Sequence, residues 1–258
     1  GRVVTVFART GGGKTTFGLQ VAANLVLNGY KVIYGSSEMS RREVFTKMAS
    51  SNASVAYKSI NENTINDSEK SKIAEFMSKI ISNKFYVSIE NDLNKFINEI
   101  KLYKLQNNLD VVFVDYVNKY VDHNDRDLMT NKIGKISGLF KNLAVEENLC
   151  VVLIAQANRI VDKKGGDAAV EKLESSDIQD SARIEQDSDQ VIGLYRNVKL
   201  DDKIYRDKLF RLGKLKYESK NADENPECIN AVIIKNRHGE RGTCALRWNG
   251  RFSRISDF

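Results

Sequence analysis

Proline is almost missing from this chain of 258 residues, and cysteine, histidine and tryptophan are nearly as scarce. The three cysteines, Cys150, Cys228 and Cys244, are odd in number and far apart, so neither a disulfide framework nor a zinc site can be read from them. Cys150 opens the apolar run Cys150-Val151-Val152-Leu153-Ile154 and is expected to be a buried thiol. Cysteine used this way fits a reducing, cytosolic setting. With only His123 and His238, histidine-based metal or triad chemistry is nearly excluded. No apolar run approaches the roughly 20 residues that span a bilayer. No signal peptide opens the chain either, because Gly1 leads straight into the strand-like Val3-Val4-Thr5-Val6-Phe7. That abrupt start reads as a domain trimmed from a longer protein. What is present, 41% hydrophobic and 29% charged residues, is the make-up of a soluble globular protein able to bury a real core. A net charge of +6 agrees with a polyanionic partner without requiring one.

Short β-branched runs recur at residues 3–8, 31–35, 110–114, 150–155 and 190–195, separated by helix-like stretches. This alternation predicts an α/β fold, a mostly parallel sheet flanked by helices. Residues 15–28 place Phe17, Val21 and Leu25 on one helical face, with Gly29 as a natural C-terminal stop. Residues 71–82 and 91–105 repeat the helical period through Phe76 and Ile80, and through Phe96 and Ile100. Residues 229–235 and 243–248 read as an antiparallel hairpin. Two long polar stretches, 162–180 and 197–227, read as mobile loops; the second holds the single proline, Pro226. Nothing requires a second domain, so residues 1–258 are read as one unit.

Ala8-Arg9-Thr10-Gly11-Gly12-Gly13-Lys14-Thr15 follows a strand and opens a helix, the context a Walker A phosphate loop requires. Glycines let backbone N–H groups turn inward around phosphate oxygens, and the helix N-terminus adds partial positive charge. Lys14 is expected to reach the β- and γ-phosphates and Thr15 to ligate Mg²⁺, with Thr16 continuing the nucleotide site. The usual pattern begins with glycine, so Ala8 is a mild departure. Val111-Val112-Phe113-Val114-Asp115 supplies the second half, a strand ending in a carboxylate for Mg²⁺. Glu38, just past the second strand, admits two readings: the group that orients attacking water, or the first-turn acid of a helix.

Further motifs follow in order: Glu38-Met39-Ser40, Asp115-Tyr116, Ala155-Gln156-Ala157-Asn158-Arg159, Ile184-Glu185-Gln186-Asp187-Ser188-Asp189 and Lys235-Asn236-Arg237-His238-Gly239. Their order and spacing resemble the C-terminal, RecA-like motor domain of DnaB-type hexameric replicative helicases, from residue 2 to about residue 252. The asparagine- and lysine-rich stretches look like an AT-rich genome and fit a phage source as well as a bacterial one.

That resemblance implies Glu38 as the catalytic glutamate and Gln156 as a γ-phosphate sensor, although a strand-end glutamine can also simply cap a turn. It implies that Arg237, supported by Lys235, is an arginine finger acting in a neighbouring subunit's site. Lys235, Arg237 and Arg241 otherwise form a solvated basic tip. Arg196 and Trp248 resemble a pair that sandwiches the nucleotide base; Trp248 packed in the hairpin core is the other reading. Family DNA-binding loops map to residues 176–183, where Gln179 and Ala182 replace an expected arginine and glycine. Asp180, Arg183 and the Lys163-Lys164 turn complete the DNA-contact candidates.

The function so implied is an ATP- or dNTP-driven, Mg²⁺-dependent helicase motor on single-stranded DNA. It would work as a homo-hexamer, with primase and a helicase loader as potential partners. It would act in the bacterial cytosol, or in the host cytoplasm for a phage protein, with an N-terminal collar domain absent from this chain. Two alternatives remain at this point. One is a RecA-like recombinase or recombination mediator, the other a non-motor scaffold for a loader or primase.

Overall fold

The computed structural model describes residues 1–120, 129–157, 174, 178 and 182–258. Its strands are β1 (Arg2–Ala8), β2 (Val32–Ser36), β3 (Phe85–Ser88), β4 (Val111–Asp115) and β5 (Cys150–Gln156). They continue with β6 (Gln190–Tyr195), β7 (Cys228–Asn236), β8 (Gly242–Asn249) and β9 (Arg254–Asp257). The helices are α1 (Lys14–Leu27), α2 (Arg41–Ala53), α3 (Tyr57–Asn61) and α4 (Asp67–Ser82). After them come α5 (Leu93–Asn107), α6 (Met129–Glu146), α7 (Ala182–Asp187) and α8 (Lys203–Arg211).

All the strands join one sheet in the order β3-β2-β4-β5-β1-β6-β7-β8-β9. From β3 to β6 neighbours are parallel; β7, β8 and β9 then add antiparallel strands to one side. Alternating residues feed two cores. Val112, Val114, Val151 and Leu153 face α5 and α6, whereas Val111, Phe113, Val152 and Ile154 face α1, α2 and α4. Both faces of β4 and β5 are thus covered, which is why these strands read as unbroken apolar runs.

Helix ends account for most differences from the apolar pattern. Helix α4 starts at Asp67, four residues before that pattern, because Asn66 and Glu69 form a reciprocal capping box. The stretch 197–227, expected as a mobile loop, instead carries α8 and a network of buried amides. Asn225 donates to the carbonyls of Tyr217 (2.7 Å) and Ser219 (2.9 Å), and Asn230 ties Lys220 and Ala222. These asparagine side chains stand in for backbone partners and so order a stretch whose charge and polarity suggested mobility. The other long loop, 162–180, lies outside the described residues except Glu174 and Ile178, and Ile178 is buried and bridges Ala157. Cys150 is half-buried, not fully buried, because it opens β5 at the rim of the sheet.

Parallel pairing sets the functional geometry. Ser36 lies level with Asp115, Asp115 with Ile154, and Ala8 with Gln156, so β1, β2, β4 and β5 end along one edge. Strand β7 runs the other way, pairing Asn230 with Tyr195 and Asn236 with Gln190, so it ends at the opposite edge. A bulge leaves Ile234 unpaired just before Lys235.

Candidate functional site

The loop after β1 is shaped by glycine. Gly11 and Gly13 have φ of 76° and 90°, a region that disfavours side chains. A methyl group on Gly13 would also stand 3.1 Å from both Trp248 and Ile229. Ala8 breaks no such demand, because it is still in extended β1 and buried. Gly13 caps α1 without a side-chain hydrogen bond. The first N–H groups of α1 therefore face the loop as anion donors. Lys14 lies half-buried, 5.5 Å from the centre of the Tyr116 ring. Thr16 is buried behind it.

Asp115 ends β4 buried beside this loop. Its carboxylate accepts hydrogen bonds from Tyr34 (2.7 Å) and from the Thr15 hydroxyl. Burial raises its pKa above the usual carboxylate value, against those bonds and the nearby Lys14 charge. Tyr34, fully buried and beside this carboxylate, is pushed well above the ordinary phenol value, by burial first and then by Asp115. The ends of β2 and β4 are stapled together. The Ser37 amide and hydroxyl both donate to the Asp115 carbonyl at 2.9 Å, and the Tyr116 amide donates to the Ser37 hydroxyl at 3.1 Å.

This staple delivers Glu38. Helix α2 is capped by Ser40, in a capping box with Glu43, so Glu38 precedes the cap and takes no part in starting the helix. Half-exposed, it lies 3.9 Å from the Lys119 ammonium and is hydrogen-bonded to the Tyr116 hydroxyl. Burial and then the Glu38 charge raise the Tyr116 pKa, which keeps that hydroxyl a donor. Gln156, at the end of β5, donates to the Thr10 hydroxyl of the phosphate loop at 2.9 Å; the turn that follows Ala157 lies outside the described residues. Arg9 reaches the Ala157 carbonyl at 3.3 Å.

Arg196 and Trp248 come together, but in direct contact. The Arg196 guanidinium is clamped by both Asp201 oxygens (2.6 and 2.7 Å), donates to the Gly11 carbonyl (3.2 Å) and lies 4.5 Å from the indole centroid. A base inserted between two planes needs about 7 Å between them. In this arrangement the pair leaves no slot for a base and instead backs the phosphate loop at Gly11 and Gly13.

Arg237 and Lys235 occupy the far edge. The Arg237 amide donates to the Asp189 carbonyl, and the Asp189 amide to the Val3 carbonyl, which sets Arg237 level with the start of β1. From Val3 to Ala8 the strand climbs roughly 17 Å. Arg237 is therefore remote from its own chain's phosphate loop.

Comparison with known families agrees with this geometry: the model of the DnaB-like helicase C terminal domain family matches residues 1–257. The chain belongs to that family. A probable plasmid replicative DNA helicase of Chlamydia psittaci is 27% identical over 260 residues, covering 98% of this chain and 51% of that protein. The replicative DNA helicase DnaB of Haemophilus influenzae is 27% identical over 262 residues, covering 99% and 51%. This DnaB-like domain thus spans about half the length of the curated relatives it matches. Two solved structures share the fold over 100% of the chain. One is a DnaB-like replicative helicase described with its interactions with primase (TM-score 0.82, 24% identity, 57% of that chain). The other is the ATPase domain of a second protein (TM-score 0.81, 23% identity, 84% of that chain). The relatives are replicative helicases, and none favours the recombinase or scaffold readings.

Within this DnaB-like domain the edge collects Lys14, Thr15, Glu38, Asp115 and Gln156. Of the DNA-contact candidates, Lys163, Lys164, Gln179 and Asp180 lie outside the described residues. Ala182 opens α7, and the stem of Arg183 packs across Gly134 of α6. Sequence reasoning gave no role to Tyr34, Tyr116, Lys119, Asp201 or Asp189, although Tyr116 and Asp189 each end one of the motifs it singled out. No helix among the described residues is long and apolar enough to cross a membrane.

Proposed function

We propose that this domain is the ATP-hydrolysing motor of a replicative DNA helicase, working as a homo-hexameric ring on single-stranded DNA. One observation carries the reading: the phosphate loop, Asp115, Glu38 and Gln156 share one sheet edge, while Arg237 stands at the other. A subunit so built offers an incomplete site and, to a neighbour, the missing cation. ATP, or a dNTP, would rest its phosphates on the uncapped N-terminus of α1, with Lys14 on the β- and γ-phosphates. Thr15 and Asp115, both oxygen donors, fit Mg²⁺, which when bound neutralises phosphate charge. Glu38 would orient and deprotonate the attacking water, steadied by Tyr116. Gln156, tied to Thr10, would register the γ-phosphate as a neutral amide. Arg237 of an adjacent subunit would stabilise charge on the transferring phosphoryl group, with Lys235 beside it. Arg183, Ala182 and the segments around Lys163, Lys164, Gln179 and Asp180 are the proposed channel contacts to the DNA backbone. Primase and a loader are proposed partners of the whole protein, and the cytoplasm its location.

ATP hydrolysis measured against protein concentration, with and without single-stranded DNA, tests the reading. Specific activity is expected to rise with concentration and to be stimulated by DNA. Strictly proportional activity indifferent to DNA would overturn it.

A further inference from the structure

Asp189 stands where the β7–β8 hairpin meets β1, and it is almost wholly buried. One carboxylate oxygen accepts from Arg237 at 3.2 Å; the other accepts from the Lys141 ammonium at 2.7 Å and the Val3 amide at 2.9 Å. The second terminal nitrogen of Arg237 donates to the Gln186 carbonyl at 2.7 Å, and the Lys235 ammonium donates to the Glu185 carbonyl. Both carbonyls belong to the last turn of α7, where backbone acceptors lack helical partners and carry partial negative charge. Below them Ser188 bonds the Thr5 hydroxyl of β1 at 2.8 Å and the Ile184 carbonyl at 2.6 Å. The guanidinium is thus gripped along one side, yet the Arg237 side chain stays 45% exposed. A guanidinium has five N–H donors. These two bonds use one N–H on each terminal nitrogen, and the half-exposed group has further donors to offer a ligand.

We propose that Asp189 is the positioning residue for Arg237, fixing the guanidinium against β1 and the end of α7 in the orientation it presents to the neighbouring subunit's nucleotide. The inference rests on reading Arg237 as a finger in trans. A finger fixed in advance loses less freedom on engaging the phosphoryl group. Removing the carboxylate frees the side chain and misplaces its charge, without touching the nucleotide site of the same subunit.

Mixed subunits test it. Glu38→Gln subunits carry a dead site and an intact finger; Arg237→Ala subunits carry an intact site and no finger. Mixed one to one with DNA and saturating ATP, about a quarter of interfaces in a random ring pair an intact site with an intact finger. Activity near a quarter of wild type is expected. With Glu38→Gln/Asp189→Asn as the finger donor, that recovery should fall at least tenfold in kcat, with KM for ATP unchanged. Asp189→Asn alone, mixed as site carrier with Glu38→Gln donors, should still recover near a quarter. A first mixture that stays inert disproves action in trans and takes this inference with it. A double variant that restores as much activity, or more, shows that Asp189 does not position the finger or merely parks it. Loss of recovery with Asp189→Asn as site carrier shows a structural role only, and equally overturns the proposal.

Discussion

Glu38 owes its place to neighbours whose side chains are bonded elsewhere. Ser40 and Glu43 start α2, and Ser37 staples β2 to β4, which leaves the Glu38 carboxylate to face the phosphate edge beside Tyr116 and Lys119. Glu38→Gln keeps the shape and the bond to Tyr116 but removes the base. We expect kcat for ATP to fall roughly 10²- to 10³-fold with KM within about twofold. An unchanged kcat in steady-state assays would return Glu38 to the role of a surface acid. Asp189 gives a prediction of a different kind. Burial opposes its charge, but hydrogen bonds from Lys141 and the Val3 amide, with the charges of Lys141 and Arg237, outweigh this and lower its pKa. A carboxyl whose pKa falls on folding contributes stability that is complete above the unfolded value, about 4, and lost as pH drops through the folded value. Because it gives up hydrogen bonds between charged groups, Asp189→Asn should cost roughly 2 kcal/mol at pH 7. Chemical denaturation repeated below about pH 4 should show the gap narrowing; a gap that widens in acid would contradict the assignment.

At the scale of elements, the phosphate loop is held from behind by the hairpin side of the sheet. Trp248, on β8, is the single tryptophan, and its ring edge stands 3.1 Å from where a methyl group on Gly13 would be. Arg196, just past the end of β6, bonds the Gly11 carbonyl and is itself fixed by Asp201. Nucleotide binding that draws the loop inward must alter the surroundings of that indole, so intrinsic fluorescence should report it. Gly13→Ala combines a φ of 90° with the clash on Trp248 and is expected to weaken nucleotide binding at least tenfold (about 1.4 kcal/mol). A fluorescence titration that gives equal affinities for both proteins would dismiss the buttress. The same region shows what sequence could and could not convey. Strands β1, β2, β4, β5 and β6 were legible because covering both faces leaves apolar runs, and Lys14, Thr15 and Asp115 because their motif is contiguous. Tyr34 meets Asp115 across 81 residues of chain, and Asp201 meets Arg196 through a turn inside a stretch whose charge reads as solvated. Such partners depend on strand order and register, which periodicity does not encode. The edge strand β3, four residues long, is too short to show a period at all.

The whole molecule has two working edges facing opposite ways, and that polarity decides how copies can cooperate. The phosphate loop follows the C-terminal end of β1, and Arg237 lies level with its beginning. Repeating one contact between the first edge of a subunit and the second edge of the next is a head-to-tail assembly, which closes into a ring if the rotation allows. In the proposed ring each subunit would hydrolyse nucleotide with its neighbour's cation, while binding would rely mainly on its own loop and Lys14, with Trp248 behind the loop. The two properties should separate. In dilute protein, Arg237→Ala and wild type should bind nucleotide with the same affinity by Trp248 fluorescence, and both should hydrolyse it poorly. At concentrations where wild-type activity per subunit has levelled off, Arg237→Ala should lag by about 10³-fold or more in kcat. Its turnover should also stay flat with concentration, since crowding subunits together supplies no cation. A deficit of the same size at every dilution would mean that Arg237 acts within its own chain, which the roughly 17 Å from Val3 to Ala8 along β1 argues against.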